Sequence, residues 1–279
     1  MIRCKPLLGT YVEISVNETS PQYSERIANH AMDQAFEVIE LVQKLMGFHN
    51  PDSELSSINA RSHIETLEVH EWTFKVLSAA KEIHTLSAGL FDCAVGAKLI
   101  RAGLLPNHKN TQTIECGDLS NLILIKPNKV RSDMPIQLDL GGIAKGFAVD
   151  KGVETLKANG IESGSVNAGG DLRVFGNISK EIQVRSPTNP NELIPIGALE
   201  EGSIASTGLY YSKSRDDMNK LSYIVNPLNM EHVEFNGSYS ILAPKCMYAD
   251  ALTKVFAISQ NDSHPCFEHF SAQAIKITA

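Results

Sequence analysis
Leu138-Asp139-Leu140-Gly141-Gly142-Ile143-Ala144-Lys145-Gly146-Phe147-Ala148-Val149-Asp150 carries three structural signals in one short run. An apolar strand ends in Asp139 and enters a paired-glycine turn, and a helix follows with Lys145 near its first turn. Glycine lets the main chain approach a ligand closely, and the first amides of a helix point at whatever lies in front of them. Val166-Asn167-Ala168-Gly169-Gly170-Asp171 repeats the theme as strand, glycine pair and carboxylate. Two such turns predict a site for a phosphate-bearing small molecule.

The surrounding chain reads as strand blocks interrupted by helices. Val12, Ile14 and Val16 alternate with Glu13 and Ser15, the pattern of a half-buried strand. Ser20-Pro21 supplies an N-cap and a first-turn proline for a helix over 21–47. A polar loop covers 48–55, and a second helix over 71–87 ends at Ser87-Ala88-Gly89, where glycine accepts the left-handed cap. A short helix precedes the loop at 106–113, short strands fill 119–140, and a helix spans 146–158. Strands are expected at 163–167, 171–175, 180–186, 203–206, 221–225 and 238–243, and a last helix runs from Met247 to Ser259. This irregular mixture favours an α+β fold over a doubly wound sheet.

With 279 residues, 43% hydrophobic and 20% charged, the chain has ample material for a core. A net charge of -7 argues against general nucleic-acid or anionic-membrane binding, which needs a positive field. No run reaches the roughly 18 apolar residues of a transmembrane segment. Five scattered cysteines fit no complete disulfide framework, and the nine histidines form no zinc-type cluster.

Several side chains are candidates for chemistry, each with a plainer alternative. Lys145 suits a phosphate and Asp139 a ribose or base, although the two also suit a surface ion pair. Asp171 beside Gly169 and Gly170 either meets the ligand or closes a β-turn. Ser206-Thr207-Gly208 offers hydroxyls to a phosphate or is an ordinary strand end. Asp250 and Thr253 share a helix face and suit a hard cation such as Mg²⁺, but spacing alone favours an acidic helix start. There is no G-x-G-x-x-G and no G-x-S-x-G, so nicotinamide-dehydrogenase and α/β-hydrolase readings lose ground.

Taken in order, these segments resemble the ApbE-type flavin transferases, which move FMN from FAD onto a Ser or Thr hydroxyl of a target protein. Leu7-Leu8-Gly9-Thr10, Asn50-Pro51-Asp52-Ser53-Glu54-Leu55-Ser56 and Gly89-Leu90-Phe91-Asp92 with Val95-Gly96 match family elements. The strongest matches are Asp139 to Asp150, Val166 to Asp171, and Ala249-Asp250-Ala251-Leu252. The resemblance implies an α+β, ApbE-like (T-fold-related) arrangement of mixed sheets with packed helices, forming one domain over 1–279 or two subdomains around a central cleft. It implies FAD at Leu8, His49, the Ala102-Gly103-Leu104 turn, Asp139 and Lys145. Mg²⁺ would sit near Gly142, Asp250 and Thr253, and the partner would be a protein carrying the acceptor hydroxyl.

Two positions depart from the family pattern. Lys254 stands where the family has Thr, four residues after Asp250, so Asp250 and Lys254 are the candidate catalytic pair. Lys254 can then hold the cation position, with weak or no need for Mg²⁺. Tyr223-Ile224-Val225-Asn226-Pro227 replaces a His-Ile-x-x-Pro segment, and tyrosine with a pKa near ~10 is a poor base at neutral pH. The alternatives are an FAD-binding protein of the same fold without transfer, and an FAD pyrophosphatase. Without signal or lipobox, the expected location is cytoplasmic if the chain is complete, and periplasmic or membrane-anchored if a leader was removed.

Overall fold
A computed structural model describes residues 1–17, 25–108, 115–189, 191–208, 222–234 and 237–278. Alternation works as expected at the N-terminus, where Val12, Ile14 and Val16 are buried and Tyr11 faces solvent. Strands β1 (Ile2–Leu7) and β2 (Thr10–Val16) form a hairpin through Leu8 and Gly9. Four helices come next: α1 (Glu25–Met46), α2 (Glu54–Arg61), α3 (Glu71–Leu86) and α4 (Gly96–Arg101). Small strands β3 (Leu67–Glu68), β4 (Leu122–Ile125) and β5 (Lys129–Ser132) make a separate sheet.

Helix α5 (Ala144–Ala158) leads into the hairpin of β6 (Gly164–Ala168) and β7 (Asp171–Phe175). A second hairpin, β8 (Lys180–Arg185) with β9 (Leu193–Leu199), precedes β10 (Gly202–Gly208). The short pair β11 (Val225–Asn226) and β12 (Glu231–His232) is followed by β13 (Gly237–Ala243). Helices α6 (Cys246–Ser259) and α7 (Pro265–His269) and strand β14 (Gln273–Thr278) complete the chain. The main sheet has the order β1-β2-β6-β7-β10-β13-β14 and is antiparallel throughout.

Each face of this sheet has its own cover. Val12, Ile14, Val166, Ala205 and Ile241 pack with Phe36 and Ile39 of α1, Val149 and Val153 of α5, and Leu252 and Phe256 of α6. On the opposite face Leu172, Val174 and Ile204 pack against Ile182 of the β8–β9 hairpin. Strand β7 therefore sends Asp171, Arg173 and Phe175 toward the helices and Leu172 and Val174 away. No helix of the described residues is long and apolar enough to cross a membrane.

The expected elements recur with shifted ends, and two readings change, the loop over 48–55 and the strand ending at Asp139. The helix start at Ser20-Pro21, residues 109–113 of the loop expected over 106–113, and residue 221 lie outside the described residues. The loop over 48–55 ends in a helix instead, because Ser53 Oγ accepts the Ser56 amide at 3.1 Å and caps α2. Nothing in the sequence reading anticipated β3, β9, β12, α7 or β14. The strand expected to end at Asp139 pairs with no other strand; a side chain holds it. Asn59 donates to the Leu138 carbonyl (2.9 Å) and accepts the Leu138 amide (2.7 Å), while the Asp139 amide donates to Cys93 O at 2.7 Å.

Candidate functional site
Two hairpin turns, the start of α5 and the second turn of α6 come together beside the main sheet. Gly169 and Gly170 turn β6 into β7 with φ of 62° and 105°, a conformation that favours glycine. The Leu8–Gly9 turn adjoins them: a Cβ on Gly169 would lie 2.6 Å from Thr10 Oγ1. Helix α5 reaches α6 as closely, since a Cβ on Gly146 would lie 2.2 Å from the Cys246 carbonyl oxygen.

A buried carboxylate locks these helices together. Asp150 accepts the Cys246 and Met247 amides, each at 3.0 Å, and Arg173 of β7 donates to it at 2.6 Å. The α6 residue Lys245 gives no side-chain cap, so Asp150 satisfies the first donors of that helix from α5. Burial raises the Asp150 pKa, and Arg173 and the two amides oppose the shift.

This scaffold brings four charged side chains together. Lys145 pairs with Asp171, and its ammonium lies 3.6 Å from Asp250 Oδ2. Lys254 pairs with Asp250 Oδ1 and donates to the Asp250 carbonyl at 2.9 Å. The Gly146 amide also donates to Asp250 Oδ2, at 3.2 Å. Asp250 is 1% exposed and Lys145 34%, so the cluster opens to solvent on the Lys145 side. Burial works against the Lys145 ammonium, but Asp171 and Asp250 outweigh it and raise its pKa. Burial likewise opposes the Asp250 carboxylate, but Lys145 and Lys254 outweigh it and lower its pKa. The Asp171 pKa rises, through burial and then through the negative charge of Asp250.

Asp139 stands at the rim of the same cluster. Its carboxylate accepts the Gly141 amide at 3.1 Å, and burial raises its pKa against that amide, His49 and Lys254. The structure thus gathers Asp139, Gly142, Lys145, Asp171, Asp250 and Lys254, with Gly169, Gly170 and Leu8 on the adjoining turns. Thr207 shares the helix-facing side of the sheet with Ala205, toward the end where the 169–170 turn lies. The Ala102-Gly103-Leu104 turn follows α4 away from the cluster, and Arg101 and Pro106 on either side of it, though not the turn itself, line a cavity of about 440 Å³. Phe48, Asn59, Arg61, His63, Arg101 and His108 are among its lining residues. That volume suits a small-molecule site. None of the four clustered charges lines the cavity; Asn59 and Gln137 do, and they flank the segment that ends at Asp139.

The implied metal ligands Asp250 and Thr253 are already engaged. Thr253 Oγ1 donates to the Asp250 carbonyl at 2.7 Å, and both Asp250 carboxylate oxygens already face ammonium or amide N–H groups. A Cβ on Gly142 would lie 3.1 Å from Lys254 Cε, so the lysine stem fills the space beside that glycine. Tyr223, in the place of the implied histidine, is 61% exposed. Sequence reasoning missed Asn59, Asp150 and Arg173 as the supports of this site. An acidic residue within the apolar run of α5 was the available signal for Asp150.

An antiparallel sheet with helices packed on one face places the chain in a known structural class. The ApbE protein of Thermotoga maritima superposes on the whole chain with a TM-score of 0.84 at 26% identity, covering 94% of that structure. The flavin transferase ApbE of Vibrio cholerae has the same fold, with a TM-score of 0.80 at 22% identity over 100% of this chain and 93% of the other. The ApbE family profile matches residues 8–272, and the chain belongs to that family. Its relatives include the FAD:protein FMN transferases of Vibrio cholerae, 27% identical over 88% of this chain and 78% of theirs, and of Chlamydia muridarum, 28% identical over 86% and 78%.

Proposed function
We propose that the protein is an FAD:protein FMN transferase. The acceptor is a Ser or Thr hydroxyl of a second protein, and AMP is the leaving product. The observation that carries this reading is Lys145 held between Asp171 and Asp250 beside the Gly169–Gly170 turn. Family membership and the names of the relatives support it.

The acceptor oxygen forms a bond to the FMN-side phosphorus of FAD, and the bond from that phosphorus to the bridging oxygen breaks. AMP departs with the bridging oxygen, and the hydroxyl proton passes to the departing phosphate or to solvent. Negative charge accumulates on the leaving group, and fixed positive groups in a partly dry site stabilise it. Lys145 is the group placed to do so, because it is the more exposed of the two lysines and is held charged by two carboxylates. Asp250 positions both lysines, and Asp139 and the glycine turns are suited to the ribose and pyrophosphate. The nucleophile belongs to the acceptor, so the enzyme needs none of its own.

Incubating the protein with FAD and a candidate acceptor domain, followed by mass analysis of all products, tests this reading. An acceptor carrying one FMN supports it. Unchanged bound FAD would make the chain a binding protein, the reading that exposed Tyr223 and the Lys254 departure favour. Free FMN and AMP with an unmodified acceptor would make it a pyrophosphatase.

A further inference from the structure
We infer that the Lys254 ammonium is the resident cation of this site, in place of the divalent metal that the family resemblance implies. The inference rests on the transferase reading for the position of the pyrophosphate. Asp250 is where a metal would bind. Lys254 already pairs with one oxygen of its carboxylate and donates to its carbonyl at 2.9 Å. The other carboxylate oxygen receives the Gly146 amide at 3.2 Å and faces Lys145 at 3.6 Å. An incoming dication would have to displace these donors while standing between two ammonium groups of its own sign.

Magnesium needs near-octahedral oxygen at about 2.0–2.1 Å, whereas a lysine ammonium takes the same oxygens through rotatable N–H donors. The other implied ligands agree. The Thr253 hydroxyl is turned to its own helix, donating to Asp250 O at 2.7 Å, and the Lys254 stem packs against Gly142 with 3.1 Å between Cε and a virtual Cβ. Lys254 directs two donor contacts to Asp250, which leaves its third N–H for a phosphate oxygen. A tethered cation of this kind is indifferent to chelators.

Mn²⁺ titration followed by EPR, on wild type and Lys254→Thr with and without FAD, tests this, together with FAD turnover in EDTA. Wild type is expected to hold no EDTA-removable Mn²⁺, and its turnover to change less than about twofold in EDTA, since no metal supplies charge stabilisation. Lys254→Thr is expected to gain Mn²⁺ binding, and its turnover to fall about tenfold or more in EDTA and return with Mg²⁺. Lys254→Met, which keeps the stem but not the charge, should bind FAD about tenfold or more weakly. One EDTA-removable Mn²⁺ per wild-type chain, or unchanged FAD affinity in Lys254→Met, overturns the inference. If wild type neither binds nor cleaves FAD, the transferase reading fails, while the Mn²⁺ titration of the unliganded protein still decides the place of Lys254.

Discussion

Replacing Asp150 by alanine removes the group that ties α5, α6 and β7 together. Three interactions end at once: the two α6 amides at 3.0 Å and the Arg173 guanidinium at 2.6 Å. Breaking a buried ion pair costs about 3–5 kcal/mol, and each orphaned buried donor about 1–3 kcal/mol. These costs overlap, because water can enter the space left by the carboxylate and Arg173 keeps 18% of its side-chain surface exposed. The expected loss is therefore about 3–5 kcal/mol rather than the full sum. For a chain of this size that lowers Tm by roughly 6–15 °C.

Asp150→Asn makes the assignment sharper. Burial raises the Asp150 pKa even with Arg173 and two amides beside it, so the carboxylate bears a real desolvation penalty. A neutral amide escapes that penalty and retains one acceptor oxygen, but its NH2 faces a donor and Arg173 loses its counter-charge, so its loss should be only a little smaller, about 2–4 kcal/mol. Urea unfolding of the three proteins at neutral pH, followed by far-UV circular dichroism, measures both differences. A cost below about 1 kcal/mol for Asp150→Ala would refute the reasoning, because the clamp would then contribute no more than a surface pair.

Gly146→Ala places a methyl group where the Cys246 carbonyl oxygen is 2.2 Å away, so α5 and α6 must separate. Overpacking of this kind costs about 1–3 kcal/mol, and FAD affinity measured by flavin fluorescence should fall with it. His264 accepts the Cys266 amide at 3.3 Å, and burial lowers its pKa below 6.5. The unfolded chain then binds the proton first, so stability should fall as the pH drops below 6.5, and His264→Asn should remove that part of the slope in acid titrations of Tm. Thiol labelling at pH 8 should modify exposed Cys4 first, with buried Cys93, Cys246 and Cys266 reacting only on unfolding. Burial pushes the Cys266 thiol up to about 11, which keeps it protonated at that pH.

The parts of the site that depend on local rules were legible in the sequence. Paired glycines followed by a charged residue gave the 169–170 turn and the start of α5, and helical spacing placed Lys254 beside Asp250. Assemblies that depend on distant partners were not. The apolar run before Gly141 resembles a strand, yet its hydrogen bonds go to Asn59 and the Cys93 carbonyl, and no periodicity signals either partner. Asp150 looked like one more residue of α5, because its partners lie 23, 96 and 97 positions away in the chain. Helix α2 was hidden for a different reason. Its N-cap serine directly follows an Asn-Pro-Asp turn, so polar turn chemistry masked the first helical residues.

On the proposed reading, Lys145, held charged by Asp171 and Asp250 at the open edge of the cluster, meets the pyrophosphate of the dinucleotide. Comparing the binding of FAD and of riboflavin, which lacks phosphate, to wild type and Lys145→Met isolates that contribution. The account predicts that the substitution weakens FAD binding by about tenfold or more and leaves riboflavin binding unchanged. Equal losses for both ligands, or no loss for FAD, would contradict it.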